Sequence, residues 1–210
     1  MKSYSYSSDF KRIRFKELVL FNVMFTTFFM INTLSFSQMP SKASADKETK
    51  ILNAMSAAPK SISANAIIMD WPKKMGDQPT VLRPGNNGWT CYPDMPQSEG
   101  NDPMCLDKQW VTFFDAYMKK ETPKITQVGF AYMLAGDSYV SNTDPFATEE
   151  TPDNEWGQEG PHIMVLVPDN NALQGMNWDR TKGEPYVMFR NTPYAHIMVP
   201  VPAVSDLSSN

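Results

Sequence analysis

Two regimes of hydrophobic patterning divide the chain. Between Leu18 and Leu34 the run LVLFNVMFTTFFMINTL is apolar without a period. Beyond residue 60 apolar residues recur at short spacing, every second position in most stretches and at helical spacing in one. The helical stretch is LDKQWVTFFDAYMKKETP, where Trp110, Phe113, Phe114 and Tyr117 fall at i, i+3, i+4 and i+7 and form one broad aromatic stripe. Asp107 is placed to cap its start, Lys119 and Lys120 suit the negative end of its dipole, and Pro123 stops continuation. The stripe is expected to be core, because an amphipathic helix must bury its apolar face.

The alternating stretches predict strands. SISANAIIMDWP reads as a first strand ending at Trp71-Pro72. In TVLRPGNNGWTCYP, Pro84 to Gly88 separates two β-prone pieces, the composition of a hairpin loop. Four more follow the helix: ITQVGFAYMLA, PHIMVLVP, PYVMFR and AHIMVPVP. In the first of these Val128, Phe130, Tyr132 and Leu134 alternate with Gly129, Ala131, Met133 and Ala135, so a helix or another backbone is expected close to the small-residue side. About twenty-five residues rich in turn formers and acids, from Gly136 to Gly160, separate it from the next strand. The pattern predicts an α+β domain: an antiparallel sheet of five to seven strands with one main amphipathic helix and long loops. The domain spans 61–202, after a flexible lead-in over 38–60 that holds a short helix near Asp46–Ala57, and before a tail over 203–210.

The apolar run at the start changes the setting. Lys2, Lys11, Arg12, Arg14 and Lys16 precede it and small residues follow, the arrangement of a secretory signal peptide. Ser35-Phe36-Ser37 predicts cleavage before Gln38, with Ala43-Ser44-Ala45 as a second site. No other stretch is long and apolar enough to span a bilayer, so no membrane span is expected after cleavage. Loss of residues 1–37, with five basic and two acidic groups, takes the net charge from −4 to −7. An acidic exported chain is a poor nucleic-acid partner, because phosphate contact needs a basic face. The expected location is periplasmic or extracellular. There the only two cysteines, Cys91 and Cys105, are expected to form a disulfide, worth about 3 kcal/mol for a loop of this size.

The blocks LRPGNNGWTCYPD, GNDPMCLD, SNTDP, GPHIMV and TPYAHIMVPV together resemble a family of uncharacterised exported bacterial proteins, over most of Ile62 to Val201. The resemblance supplies a grouping and implies no activity.

Candidate chemistry concentrates in GPHIMVLVP and YAHIMVPVP, near copies that hold the only two histidines. In extended strands His162, Met164 and Leu166 share one side, as do His196, Met198 and Pro200, with the β-branched residues opposite as ordinary core faces. If the two strands are neighbours, His162, Met164, His196 and Met198 can converge, and imidazole nitrogen with soft thioether sulfur suits copper, above all Cu(I). The plainer reading makes both histidines packed strand residues with one ring nitrogen bonded to a backbone carbonyl. Asn142, Asp144 and Tyr194 lie just ahead of strand starts and are candidates to line a pocket with the imidazoles.

Common hydrolase, zinc-protease and nucleotide motifs are absent. The favoured expectation is an accessory protein that binds a small molecule or a metal ion. Its rivals are a hydrolase or lyase with His162 or His196 as general base, Asp144 being a weak further candidate, and a purely structural module. A calcium site among the acids between Asp144 and Glu159 lacks regular ligand spacing, and Asp102-Pro103 and Asp144-Pro145 read as turn initiators.

Overall fold

The computed structural model describes residues 42–74 and 77–202. The expected signal peptide, its preferred cleavage site and the tail after residue 202 lie outside the described residues. Among the described residues three α-helices, α1 (Lys42–Ser56), α2 (Lys60–Ser63) and α3 (Lys108–Met118), accompany ten strands. Eight form one sheet in the order β2 (Thr80–Arg83), β1 (Ile67–Asp70), β3 (Thr90–Tyr92), β4 (Met104–Leu106), β5 (Gly129–Met133), β8 (His162–Leu166), β10 (His196–Pro200), β9 (Tyr186–Met188). Strands β6 (Tyr139–Ser141) and β7 (Trp156–Gln158) pair separately. The architecture is α+β, with a sheet one strand wider than the upper end of the expected range. No helix among the described residues is long and apolar enough to cross a membrane.

Helices cover both faces of the sheet. On one face α1 and the turn after it bury Ile51, Ala54, Ala57 and Ala58 against Ala66, Ile68, Cys91 and Cys105. On the other, Trp110 and Phe113 of α3 pack on Tyr92, Met104, Leu106, Ala131, Met133, Met164, Leu166 and Met198. The alternation of these residues within β3, β4 and β5 separates the two cores. The stretch from Lys42 is therefore not a flexible lead-in. It holds the expected short helix, begun earlier and 15 residues long, anchored by buried Ile51 and Ala54 and by Lys50, whose ammonium bridges Asp70 at 2.7 Å. The second cleavage site, between Ala45 and Asp46, falls inside it.

Helix α3 forms as its pattern dictates. The Asp107 carboxylate accepts from the backbone N–H groups of Gln109 and Trp110, both at 2.9 Å, and its other oxygen accepts from Phe130 N at 2.6 Å. One side chain thus caps the helix and pins it to β5. Gly129 lets the two come together: a Cβ there would sit 2.7 Å from Gln109 Cβ. The small-residue side of β5 faces the helix, as its composition indicates, and the side bearing Phe130 is the more open one.

Three local expectations change. Strands β2 and β3 do not form a hairpin, because β1 lies between them, antiparallel to β2 and parallel to β3. Two pieces flanking a turn-rich loop carry no information about an earlier strand inserting between them. The long stretch after Gly136 is not structureless, since it contains β6 and β7. The faces of β8 and β10 are inverted: His162, Met164, Leu166, His196 and Met198 are buried, while Ile163, Val165, Ile197 and Val199 are half-buried. Helix α3 sits over the histidine and methionine side, and only part of the β-branched side is covered, by the short turn around Leu173.

Candidate functional site

Cys91 and Cys105 lie directly opposite one another on β3 and β4, with a Cα–Cα distance of 4.0 Å, and are joined as a disulfide. The expected loop from Asp94 to Pro103 is the connection of this hairpin. Its Asp102 is not a simple exposed turn former. Asp102 is buried, accepts from Met95 N at 2.7 Å and has its carboxyl pushed up to about 6 by burial and by neighbouring Asp94. Asp144 does serve a turn: it is exposed and accepts from Phe146 N at 2.9 Å.

The two histidine strands are neighbours with their histidine and methionine sides on the same face. Met164 lies opposite Met198, but His162 lies opposite Pro200. Antiparallel pairing therefore places His196 four residues from His162's partner, about 13 Å along the strand at 3.3 Å per residue. The methionines sit centrally and the imidazoles occupy opposite ends, so the four side chains are not gathered on one point. No group of three or more His, Cys, Asp or Glu side chains suited to a metal ion occurs among the described residues.

Each histidine has the same local arrangement. Nδ1 of His162 is 2.7 Å from Gly160 O, and Nδ1 of His196 is 2.9 Å from Tyr194 O. A carbonyl only accepts, so Nδ1 carries the proton and Nε2 the lone pair. Burial lowers both pKa values, that of His196 to about 4, so both rings are neutral at neutral pH. Neither Nε2 has a hydrogen-bond partner.

The two rings face different cavities. Beside His162 is a space of about 360 Å³ that Glu159, Tyr186 and Met198 also line. His162 Nε2 lies 4.0 Å from Asp137, and Glu159 pairs with Arg180 at 2.7 Å. Burial raises Asp137 to about 7, with Glu159 adding to the rise and Arg180 opposing it. At this end Arg180 and Glu159 form an ion pair, while Asp137 is buried and the neutral His162 ring has no hydrogen-bond partner at Nε2.

His196 faces the larger cavity, about 680 Å³, enclosed by α3, the sheet, the Met95–Glu99 loop and the segment around β6. Six methionines line it: Met95, Met104, Met133, Met164, Met188 and Met198. Trp110, Phe113, Phe114, Tyr117, Tyr139, Trp156 and Phe189 supply aromatic wall, and Gln97, Ser98, Glu99, Asp102, Asp137, Ser138 and Thr148 the polar part. The His196 ring meets Trp110, Phe113 and Phe189 edge-on, with centroids 5.1, 5.9 and 5.6 Å away. Trp110 Nε1, like His196 Nε2, is buried without a partner.

Asn142, Asp144 and Tyr194 do not line this cavity. Asn142 is buried, donating to Glu155 at 2.6 Å and to Trp178 O at 3.2 Å. Tyr194 is buried, donates to Glu121 O at 2.9 Å and packs on Phe113, Tyr117 and Phe146. The residues that sequence reasoning missed are Asp137, Asp102 as a buried acid, and Trp110 as a polar group. Asp137 sits in a Gly-Asp-Ser turn whose composition says loop, and nothing local marks that loop as folding back over a core.

No protein-family model, no curated protein and no solved structure matches the chain.

Proposed function

We propose that this domain binds a small apolar molecule in the cavity between α3 and the sheet. The observation that carries the reading is the lining: six methionines and seven aromatic side chains around about 680 Å³, with polar side chains among them. Ligand sites have this size and this ratio of apolar surface to placed polar groups. Methionine suits a pocket that must fit an irregular apolar shape, because its unbranched thioether adapts. An exported setting, proposed on the leader pattern, is supported by the disulfide.

The test uses the purified protein and the apolar dye N-phenyl-1-naphthylamine. Saturable one-to-one binding, displaced by butylbenzene and lost in Ala147→Trp, is the expected result. Ala147 lines the loop side of the cavity, so the larger side chain fills it without entering the sheet. Dye binding that Ala147→Trp leaves unchanged would place the site elsewhere. Silver(I), standing in for Cu(I), is titrated in parallel; a one-to-one rise in Tm with silver and none with the dye would favour a soft metal on the methionine wall.

One observation favours an enzyme as the second reading, and it shifts the proton carrier away from histidine. His196, with a pKa near 4, is too weak a base for neutral pH, whereas Asp137, raised to about 7, is matched to it and lines the same cavity. On this reading Asp137→Asn abolishes turnover of a bound substrate and leaves dye binding intact.

A further inference from the structure

Resting on the cavity reading above, we propose that the ligand carries a hydroxyl group, which accepts a hydrogen bond from Trp110 Nε1–H and donates one to His196 Nε2. Both nitrogens are buried, both belong to side chains that line the cavity, and neither has a partner. Their roles are fixed and opposite. Indole nitrogen only donates, and the His196 Nδ1–H bond to Tyr194 O leaves Nε2 as a pure acceptor. The rings stand 5.1 Å apart, centroid to centroid, at 85°. An oxygen bonded to both at about 2.9 Å, with its donor and acceptor directions roughly 110° apart, holds the two nitrogens about 4.8 Å apart, a spacing that rings in edge contact can present.

Other polar groups fit less well. A carbonyl or ether oxygen satisfies the indole and leaves the imidazole bare. A carboxylate would enter a space lined by Asp102 and Asp137 and by no lysine or arginine, and like charges repel. A hydroxyl accepts and donates through one neutral atom. Leaving either buried nitrogen unmatched costs free energy, so the pair discriminates in favour of a ligand that serves both. The recognised class is thus an apolar alcohol or phenol, its hydrocarbon body against the methionines and aromatic rings.

Three probes of nearly equal shape separate the terms: butylbenzene without oxygen, 4-butylanisole with an acceptor only, and 4-butylphenol with donor and acceptor. Their affinities for the purified protein are measured by calorimetry. The phenol is expected to bind about tenfold or more tighter than butylbenzene, with the anisole between them. A hydroxyl moved into an apolar cavity without partners weakens binding, so a gain of this sign requires a hydrogen-bonding partner in the wall, and substitution of the two nitrogen-bearing side chains tells them from the acids and hydroxyls that also line it. Trp110→Phe and His196→Phe each keep an aromatic ring in place, and either is expected to reduce the phenol's advantage to about threefold or less with butylbenzene unchanged.

Equal affinity of phenol and butylbenzene would overturn the hydroxyl assignment and leave the cavity reading standing, with water meeting the two nitrogens. Failure of all three probes to bind would overturn the cavity reading and this inference with it. Should both variants lose the near-ultraviolet circular dichroism of the native protein, the three-probe series on the unmodified protein decides alone.

Discussion

His196 and Asp137 respond to pH in opposite directions, and burial is the main cause of both shifts. Folding holds His196 at about 4, below its unfolded value near 6.5. The unfolded chain therefore binds the extra proton first, and stability falls as pH drops from about 6.5 towards 4. His162, also lowered, acts in the same sense. Folding raises Asp137 from 3.8 to about 7 and Asp102 to about 6, so their contribution is present below pH 4 and lost as pH rises to about 7. A thermal unfolding series across pH 4 to 7.5 checks both signs. His196→Phe is expected to lose less Tm than the unmodified protein on acidification. Asp137→Asn, whose amide oxygen can still accept from Ser138 N, is expected to gain Tm relative to it as pH rises from 4 to 7.5. These residues were only partly legible in the sequence. Two lone histidines in apolar strands are conspicuous, and their bonding to backbone carbonyls follows from that setting. The depth of Asp102 and Asp137 depends on what folds over them, which residue order does not express.

The contact between α3 and β5 sets the height of the cavity roof, and two residues hold it. Asp107 caps the helix and accepts from Phe130 N, while Gly129 provides the clearance beneath Gln109. Asp107→Ala is expected to destabilise by about 1–2 kcal/mol. Gly129→Ala must displace Gln109 or the strand and is expected to destabilise by about 1–3 kcal/mol. Because it lifts the roof, Gly129→Ala should also alter dye affinity, whereas an exposed substitution on the same helix, Lys108→Ala, should leave dye affinity unchanged. Denaturant unfolding and dye titration on the same samples check these outcomes. Elements with a local signature were readable: the aromatic stripe, the aspartate cap and the small-residue side of β5 all behave as their spacing indicates. What failed were long-range matters. The position of β1 between β2 and β3, the burial of the histidine sides rather than the β-branched ones, and the width of the sheet all depend on which strands meet. An alternating pattern states that one side is buried without saying which neighbour buries it.

At the scale of the molecule, the helices on the two faces give the sheet two cores, and the disulfide lies within the one beneath α1. Replacing Cys91 and Cys105 together by alanine is expected to remove about 3 kcal/mol, a Tm decrease of roughly 6–12 °C for a domain of this size. Thiol titration of the native protein should find close to none free. The cross-link also occupies a particular seat in the strand order, between the third and fourth of eight, so that β2, β1 and β3 with α1 stand on one side and β4 to β9 with the cavity on the other. The short β3–β4 ladder, the packing of α1, the Trp89–Tyr132 contact and the packing of Trp71 and Tyr92 on Phe114 also stitch the two portions together. Once reduced, the amino-terminal portion is expected to fray as a block, its amides exchanging with deuterium together while those of β5, β8 and β10 stay protected. Oxidation at this seam would then favour closure of a freshly made chain into one body, tying maturation of the proposed ligand chamber to the redox state of its surroundings.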